Sequence, residues 1–95
     1  MITVDMIERN GKNLLALKFD LPNAPLIVMV YRDVVIGCGY INKDVMEKVG
    51  NAACIVTGVK TFDDVLNAEI KDMTSKAVEK GAKVGMKVAE FIDLL

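Results

Sequence analysis

The stretch VVIGCGYINKDVMEKVGNAACIV, residues 34–56, changes its hydrophobic period twice, and those changes decide the fold. Val34 to Tyr40 is apolar on both alternations and rich in Val and Ile, the pattern of a strand covered on both faces. From Ile41 the period lengthens to about 3.6 residues: Ile41, Val45, Met46 and Val49 fall on one helix face, with Asn42 as N-cap and Gly50 as the stop. Ala52 to Val56 then returns to a short apolar run. Strand, helix and strand in this order predict two parallel neighbours joined by a right-handed crossover.

Toward the N-terminus, Leu26 to Tyr31 is a second strand of the same apolar kind, joined to Val34 by a short turn around Arg32-Asp33. Asp20 to Pro25 holds both prolines and reads as a loop, because proline donates no ladder hydrogen bond and biases its predecessor away from helix. Asn10-Gly11 is a strong two-residue hairpin signal between Ile2–Glu8 and the run containing Leu14, Leu15, Leu17 and Phe19. Toward the C-terminus, Thr61 caps a short helix through about Leu66, with Asp63 and Asp64 in its favoured first turn. Thr74 caps another that ends at Gly81, and a last helix aligns Val88, Phe91, Ile92 and Leu95. The expected fold is α+β: a mixed five-stranded sheet of N-terminal antiparallel hairpins and one parallel crossover, with three to four short helices. Residues 1–95 form a single domain on this reading.

Hydrophobic residues make up 53% of the 95, and with glycine added the apolar share exceeds the roughly 45–50% usual for soluble domains. A domain of this size hides such a surplus poorly, so a homo-oligomer is expected. The net charge of −1, with 12 basic and 13 acidic residues interspersed, supplies no field for a phosphate backbone, and aromatic residues are few. No nucleic-acid partner is therefore expected. The longest apolar runs are far short of the roughly 20 residues a spanning helix needs. Asp5, Glu8 and Arg9 interrupt any secretory signal, so no membrane partner and a cytoplasmic setting are expected, with both cysteines reduced.

The chain has no histidine. This removes the commonest general base and metal ligand and every Ser-His-Asp or Cys-His arrangement. Cys38 and Cys54, sixteen apart, form no zinc signature, so neither metal nor cofactor is expected. What remains is Cys38, Lys60, Thr61 and scattered carboxylates. Cys38-Gly39 and Thr57-Gly58 stand at the carboxyl ends of the two parallel strands, where ligands of open parallel sheets tend to bind. A helix starts just after each end. Free backbone N–H groups there, with Lys60 alongside and Gly39 and Gly58 allowing close approach, make a small anion site between Gly39 and Thr61. The plainer reading is structural: glycines for tight turns, Thr61 as a cap, Lys60 solvated, Cys38 a small buried hydrophobe. Cys54 is core, and Gly58-Val59-Lys60-Thr61 lacks the upstream glycine and Gly-Lys pair of a phosphate loop.

Taken together, Cys38-Gly39, Gly58-Val59-Lys60-Thr61 with Asp63, Leu66 and Ala68, then Thr74, Ala77, Gly81, Gly85-Met86 and Glu90 form a specific pattern. Over Val34 to Leu95 the chain resembles the family of small domains typified by the bacterial YunC protein, a domain of unknown function known from bacteria and archaea. The first hairpins match only in outline. This chain departs from the family in having Tyr40 and Asn42 where a small and an acidic residue are usual, Glu69 in place of a proline, and Val88 in place of a glycine. The resemblance implies an α+β fold and oligomerisation, and it supplies no catalytic residues.

Three functional readings follow. The favoured one is a small homo-oligomeric module that binds a small anionic ligand through Gly39, Gly58, Lys60 and Thr61. The second is a structural or protein-interaction subunit whose apolar surplus docks on another protein. The third is an enzyme with Cys38 as its nucleophile, since a cysteine beside a helix start and a lysine can have a lowered pKa.

Overall fold

Asn10 and Gly11 take φ of 50° and 80°, the two left-handed residues that a tight hairpin with right-handed twist requires. They join β1 (Ile2–Arg9) to β2 (Lys12–Phe19), antiparallel with Arg9 opposite Lys12. After the proline loop come β3 (Leu26–Tyr31) and β4 (Val34–Gly37), joined through Arg32, which also lies in the left-handed region at φ 55°. The computed structural model describes residues 1–95.

Helix α1 (Lys43–Val49) carries the crossover to β5 (Ala52–Ile55), which lies parallel to β4 with Ile36 opposite Cys54. Asn42 Oδ1 accepts the N–H groups of Asp44 and Val45, and Gly50 closes the helix at φ 86°. Then follow α2 (Phe62–Asn67), β6 (Asp72–Met73), α3 (Ser75–Glu79) and α4 (Val88–Asp93). The domain is thus α+β, with one mixed sheet in the order β1-β2-β3-β4-β5-β6 and four short helices.

The sheet has six strands where the sequence reading expected five. The addition is β6, two residues pairing antiparallel with β5 at Cys54–Met73 and Ile55–Asp72. So short a strand carries no alternation of its own, because its pairing is a matter of backbone hydrogen bonds alone. Thr74, next in line, fixes the strand in place. Its buried hydroxyl donates to Asn51 C=O at 2.7 Å and accepts the Ala53 N–H at 2.9 Å. Thr74 is therefore the N-cap residue of α3 by position without capping it by side chain. Glu47 of α1 supplies that cap instead, accepting Ser75 N–H at 2.8 Å and Ser75 O–H at 2.7 Å.

The core lies on one face of the sheet. Leu14, Ala16, Ile27, Met29, Val34, Ile36 and Cys54 point into it, and Val65, Ala77, Val88, Phe91 and Ile92 of the helices close over them. Helix α1 lies on the other face. A Cβ on Gly37 would stand 2.5 Å from Ile41 Cγ1, so only glycine lets Ile41 close down over β4. The apolar face expected for α1 is mostly uncovered: Val45 and Val49 are 54% and 66% exposed. Ile41, just ahead of the helix, and Met46 are half-buried, and Val45 and Val49 are left to solvent. No helix is long and apolar enough to cross a membrane.

Candidate functional site

Parallel pairing of β4 with β5 puts Gly37 beside Ile55, so the chain leaves both strands at the same edge of the sheet. Cys38 and Gly39 continue one exit, and Thr57 to Lys60 the other. Between them lies a crevice of about 330 Å³, near the lower end of the range that takes small molecules. Cys38, Gly39, Gly58 and Lys60 line it, together with Val59 and Tyr40 and with Ala24 and Pro25 from the loop before β3. Thr61 does not.

The glycines leave the crevice open. A Cβ on Gly39 would meet nothing nearer than Thr57 Cγ2 at 3.9 Å, and one on Gly58 would meet nothing within 4 Å. Gly58 has φ 71°, so its glycine serves the turn into α2. Gly39 has no such constraint. Tyr40 Oη donates to Ala24 C=O at 3.4 Å, tying the two loops that flank the opening.

Thr61 is committed elsewhere. Its hydroxyl accepts the Asp64 N–H at 3.1 Å, while Asp64 Oδ2 accepts the N–H groups of Thr61 at 3.2 Å and Lys60 at 3.1 Å. This is a reciprocal capping box. The N–H groups that the sequence reading offered to an external anion are already paired with a carboxylate of the same helix. At the other helix start, Asn42 takes the corresponding groups of α1. The positive feature left at the crevice is the Lys60 ammonium.

Cys38 is 5% exposed and forms part of the crevice wall, and its Sγ accepts the Ile27 N–H at 3.4 Å. The lining includes no carboxylate beside it. Cys54 is fully buried in β5, and burial pushes its thiol up to about 12. No group of three or more Cys, Asp or Glu side chains gathers where it would hold a metal ion.

Ala24, Pro25, Tyr40 and Val59 were not among the site residues expected from sequence. Two of them come from a loop distant along the chain, and the antiparallel register that sets Val28 opposite Gly37 brings that loop to the exit of β4.

Residues 37–95, more than half of the chain, match DUF1805, a domain of unknown function. The chain belongs to this family. The match begins at the last residue of β4 and takes in the crossover helix, β5 and everything after, so the DUF1805 segment supplies six of the eight lining residues. It establishes the family without its YunC naming. The whole chain is also similar to a crystal structure of a protein of unknown function, TA1206 from Thermoplasma acidophilum. The two share 38% identity and a TM-score of 0.94, over 98% of this chain and 91% of the other. That likeness extends through the N-terminal hairpins, beyond the DUF1805 segment. No curated protein matches.

Proposed function

We propose that this domain is a small-molecule binding module whose crevice at the carboxyl ends of β4 and β5 takes a ligand with a small apolar body and one anionic group. The observation that carries this reading is the composition of the crevice. Ala24, Pro25 and Val59 offer apolar wall, Gly39 and Gly58 offer bare backbone, and Lys60 stands as the single charge. A few placed polar groups in a mainly apolar concavity is the usual composition of a ligand site. The anionic group meets the ammonium rather than a cradle of N–H groups, since Asp64 already occupies those. A monocarboxylate therefore suits the site better than a phosphate, which favours several converging donors. Cys38 serves as wall: its sulfur is held by Ile27 N–H and faces no base among the lining residues.

A thermal-shift screen of small aliphatic and aromatic carboxylates beside phosphorylated metabolites tests the reading. A ligand at a hundred times its Kd stabilises by about 2.7 kcal/mol, which for a domain of this size moves Tm by about 10 °C or more. Gly39→Val fills the crevice without backbone strain and should abolish the shift, and Lys60→Ala should weaken it selectively for charged ligands. A flat screen, or a shift that survives Gly39→Val, overturns the reading.

A further inference from the structure

We infer that the loop at residues 21–25 is a lid over the crevice, latched by the Tyr40 hydroxyl, and that this latch sets how often the crevice opens. The ends of the loop are pinned. Asp20 N–H donates to Met1 C=O at 2.9 Å on one side, and Leu26 pairs with Phe19 on the other. Between these anchors the chain is left almost unattached. None of residues 21–25 takes part in a backbone–backbone hydrogen bond, and the bond from Tyr40 Oη to Ala24 C=O is the only hydrogen bond that reaches them.

The composition of the loop suits a strap that swings as a unit. Pro22 and Pro25 donate no hydrogen bond and hold φ near −65°, so the segment keeps its shape when it moves. Pro22, Asn23 and Ala24 are exposed, and only Leu21 and Pro25 are half-buried. Few buried contacts and few internal hydrogen bonds put a segment at the low end of local stability. The latch is a light one. At 3.4 Å it is longer than the roughly 2.5–3.0 Å of a strong O–H···O bond, and it is borne by a side chain 52% exposed.

Both sides of the latch belong to the crevice. Ala24 and Pro25 are the lid's share of its wall, and Tyr40 lines it from the exit of β4. Two residues beyond Pro25, Ile27 N–H holds Cys38 Sγ at 3.4 Å, so the inner end of the lid stands next to the thiol. Gly39 gives the latch its freedom. No positive φ demands glycine there, and an added Cβ would meet nothing nearer than 3.9 Å. What glycine supplies beside Tyr40 is a soft backbone, which lets the ring swing off Ala24. As the gate of a binding site the lid rests on the reading proposed above; its opening is a property of the free chain.

The experiment therefore needs no ligand. Iodoacetamide is applied to the folded chain at mildly alkaline pH, and alkylation of Cys38 and Cys54 is followed separately by peptide mass spectrometry. Loops move in nanoseconds to microseconds, far faster than alkylation, so the Cys38 rate reads the open population. In the native chain Cys38 should label before Cys54, which is fully buried and uncovered only when the whole domain unfolds. Tyr40→Phe keeps the ring and removes the latch. It should speed Cys38 labelling about two- to fivefold, the factor that one modest neutral hydrogen bond commands, and leave the Cys54 rate unchanged. An unchanged Cys38 rate in Tyr40→Phe overturns the latch. Equal rates at the two cysteines of the native chain overturn the lid whatever the variant does. The two readings fail separately: a flat thermal-shift screen with fast Cys38 labelling removes the ligand and leaves the lid, whereas ligand shifts with an unchanged Tyr40→Phe rate remove the latch and leave the site.

Discussion

Strands β1 and β5 belong to one sheet and have opposite fates. Every residue of β5 is buried, between the core on one face and α1 on the other, whereas none of the eight residues of β1 is. The sequence composition of the two does not explain this, since β1 carries Ile2, Val4, Met6 and Ile7 against the two alanines of β5. The difference lies in what the chain lays over each strand. The segment from residue 37 onward folds four helices around β4–β6, and almost nothing is left to cover the outer face of β1–β3. The C-terminal region is a finished three-layer unit, and the N-terminal hairpin region is two-layered with one apolar face open. Small side chains in β5 follow from this: Ala52, Ala53 and Cys54 let layers close from both sides.

The comparison breaks most directly at two phenylalanines. Phe91 is fully buried in α4 and Phe19 is 43% exposed on the open face. Phe91→Ala should cost about 3–5 kcal/mol by leaving a cavity. Phe19→Ala should cost about 1 kcal/mol or less. Urea titration of both variants measures the contrast, and equal costs would mean that the open face is already covered within one chain.

A smaller effect sharpens the account of the C-terminal region. Thr74→Val keeps the shape of the side chain and removes the hydroxyl that joins Asn51 C=O to Ala53 N–H. An orphaned buried donor costs about 1–3 kcal/mol. Hydrogen exchange at the Ala53 amide should accelerate by the corresponding factor, with β1 and β2 amides following only through global unfolding.

The smallest effect concerns the seam between the regions. Arg9 Nε and Nη2 and Asn10 Nδ2 donate to the Asp93 carboxylate at 3.0–3.1 Å, tying the first hairpin turn to α4. These bonds, with the Arg9 charge, hold the Asp93 carboxyl below the usual aspartate range, and Ser75 does the same for Glu47. A depressed folded pKa means stability that is present above about pH 4 and lost as pH falls through the folded values. Asp93→Asn should therefore flatten the acid limb of the stability curve while changing stability at neutral pH only slightly, because the pair is partly exposed. An unchanged acid limb in this variant would show that the seam carries no electrostatic coupling.

Much of this fold is legible because local chemistry and hydrophobic period agree. Asn10-Gly11 marks a hairpin, the prolines a loop, and Asn42 and Gly50 bound a helix, each through a residue with a specific backbone or capping role. The strand β6 escapes because two residues cannot display a period, and Thr74 looks like a cap until its hydroxyl is seen spent on β5. The apolar side of α1 shows the limit of periodicity: spacing tells which side chains share a face, and not whether anything covers it. At the crevice, the crossover alone gathers Cys38, Gly39, Gly58 and Lys60, since strand ends follow from topology. Ala24 and Pro25 depend on where a distant loop lands. The pairing of Asp64 with the Lys60 and Thr61 amides was readable in principle from the Thr61–Asp64 spacing, which is that of a capping box.

That capping box also sets terms of entry for the crevice. A carboxylate tethered three residues away reaches an effective concentration of millimolar or more, so a free anion seeking the Lys60 and Thr61 amides competes with a resident that never diffuses off. Common cellular anions are thereby discouraged from lodging beside Lys60. On the proposed reading, a ligand would draw its affinity chiefly from an apolar body, with the Lys60 charge adding to it.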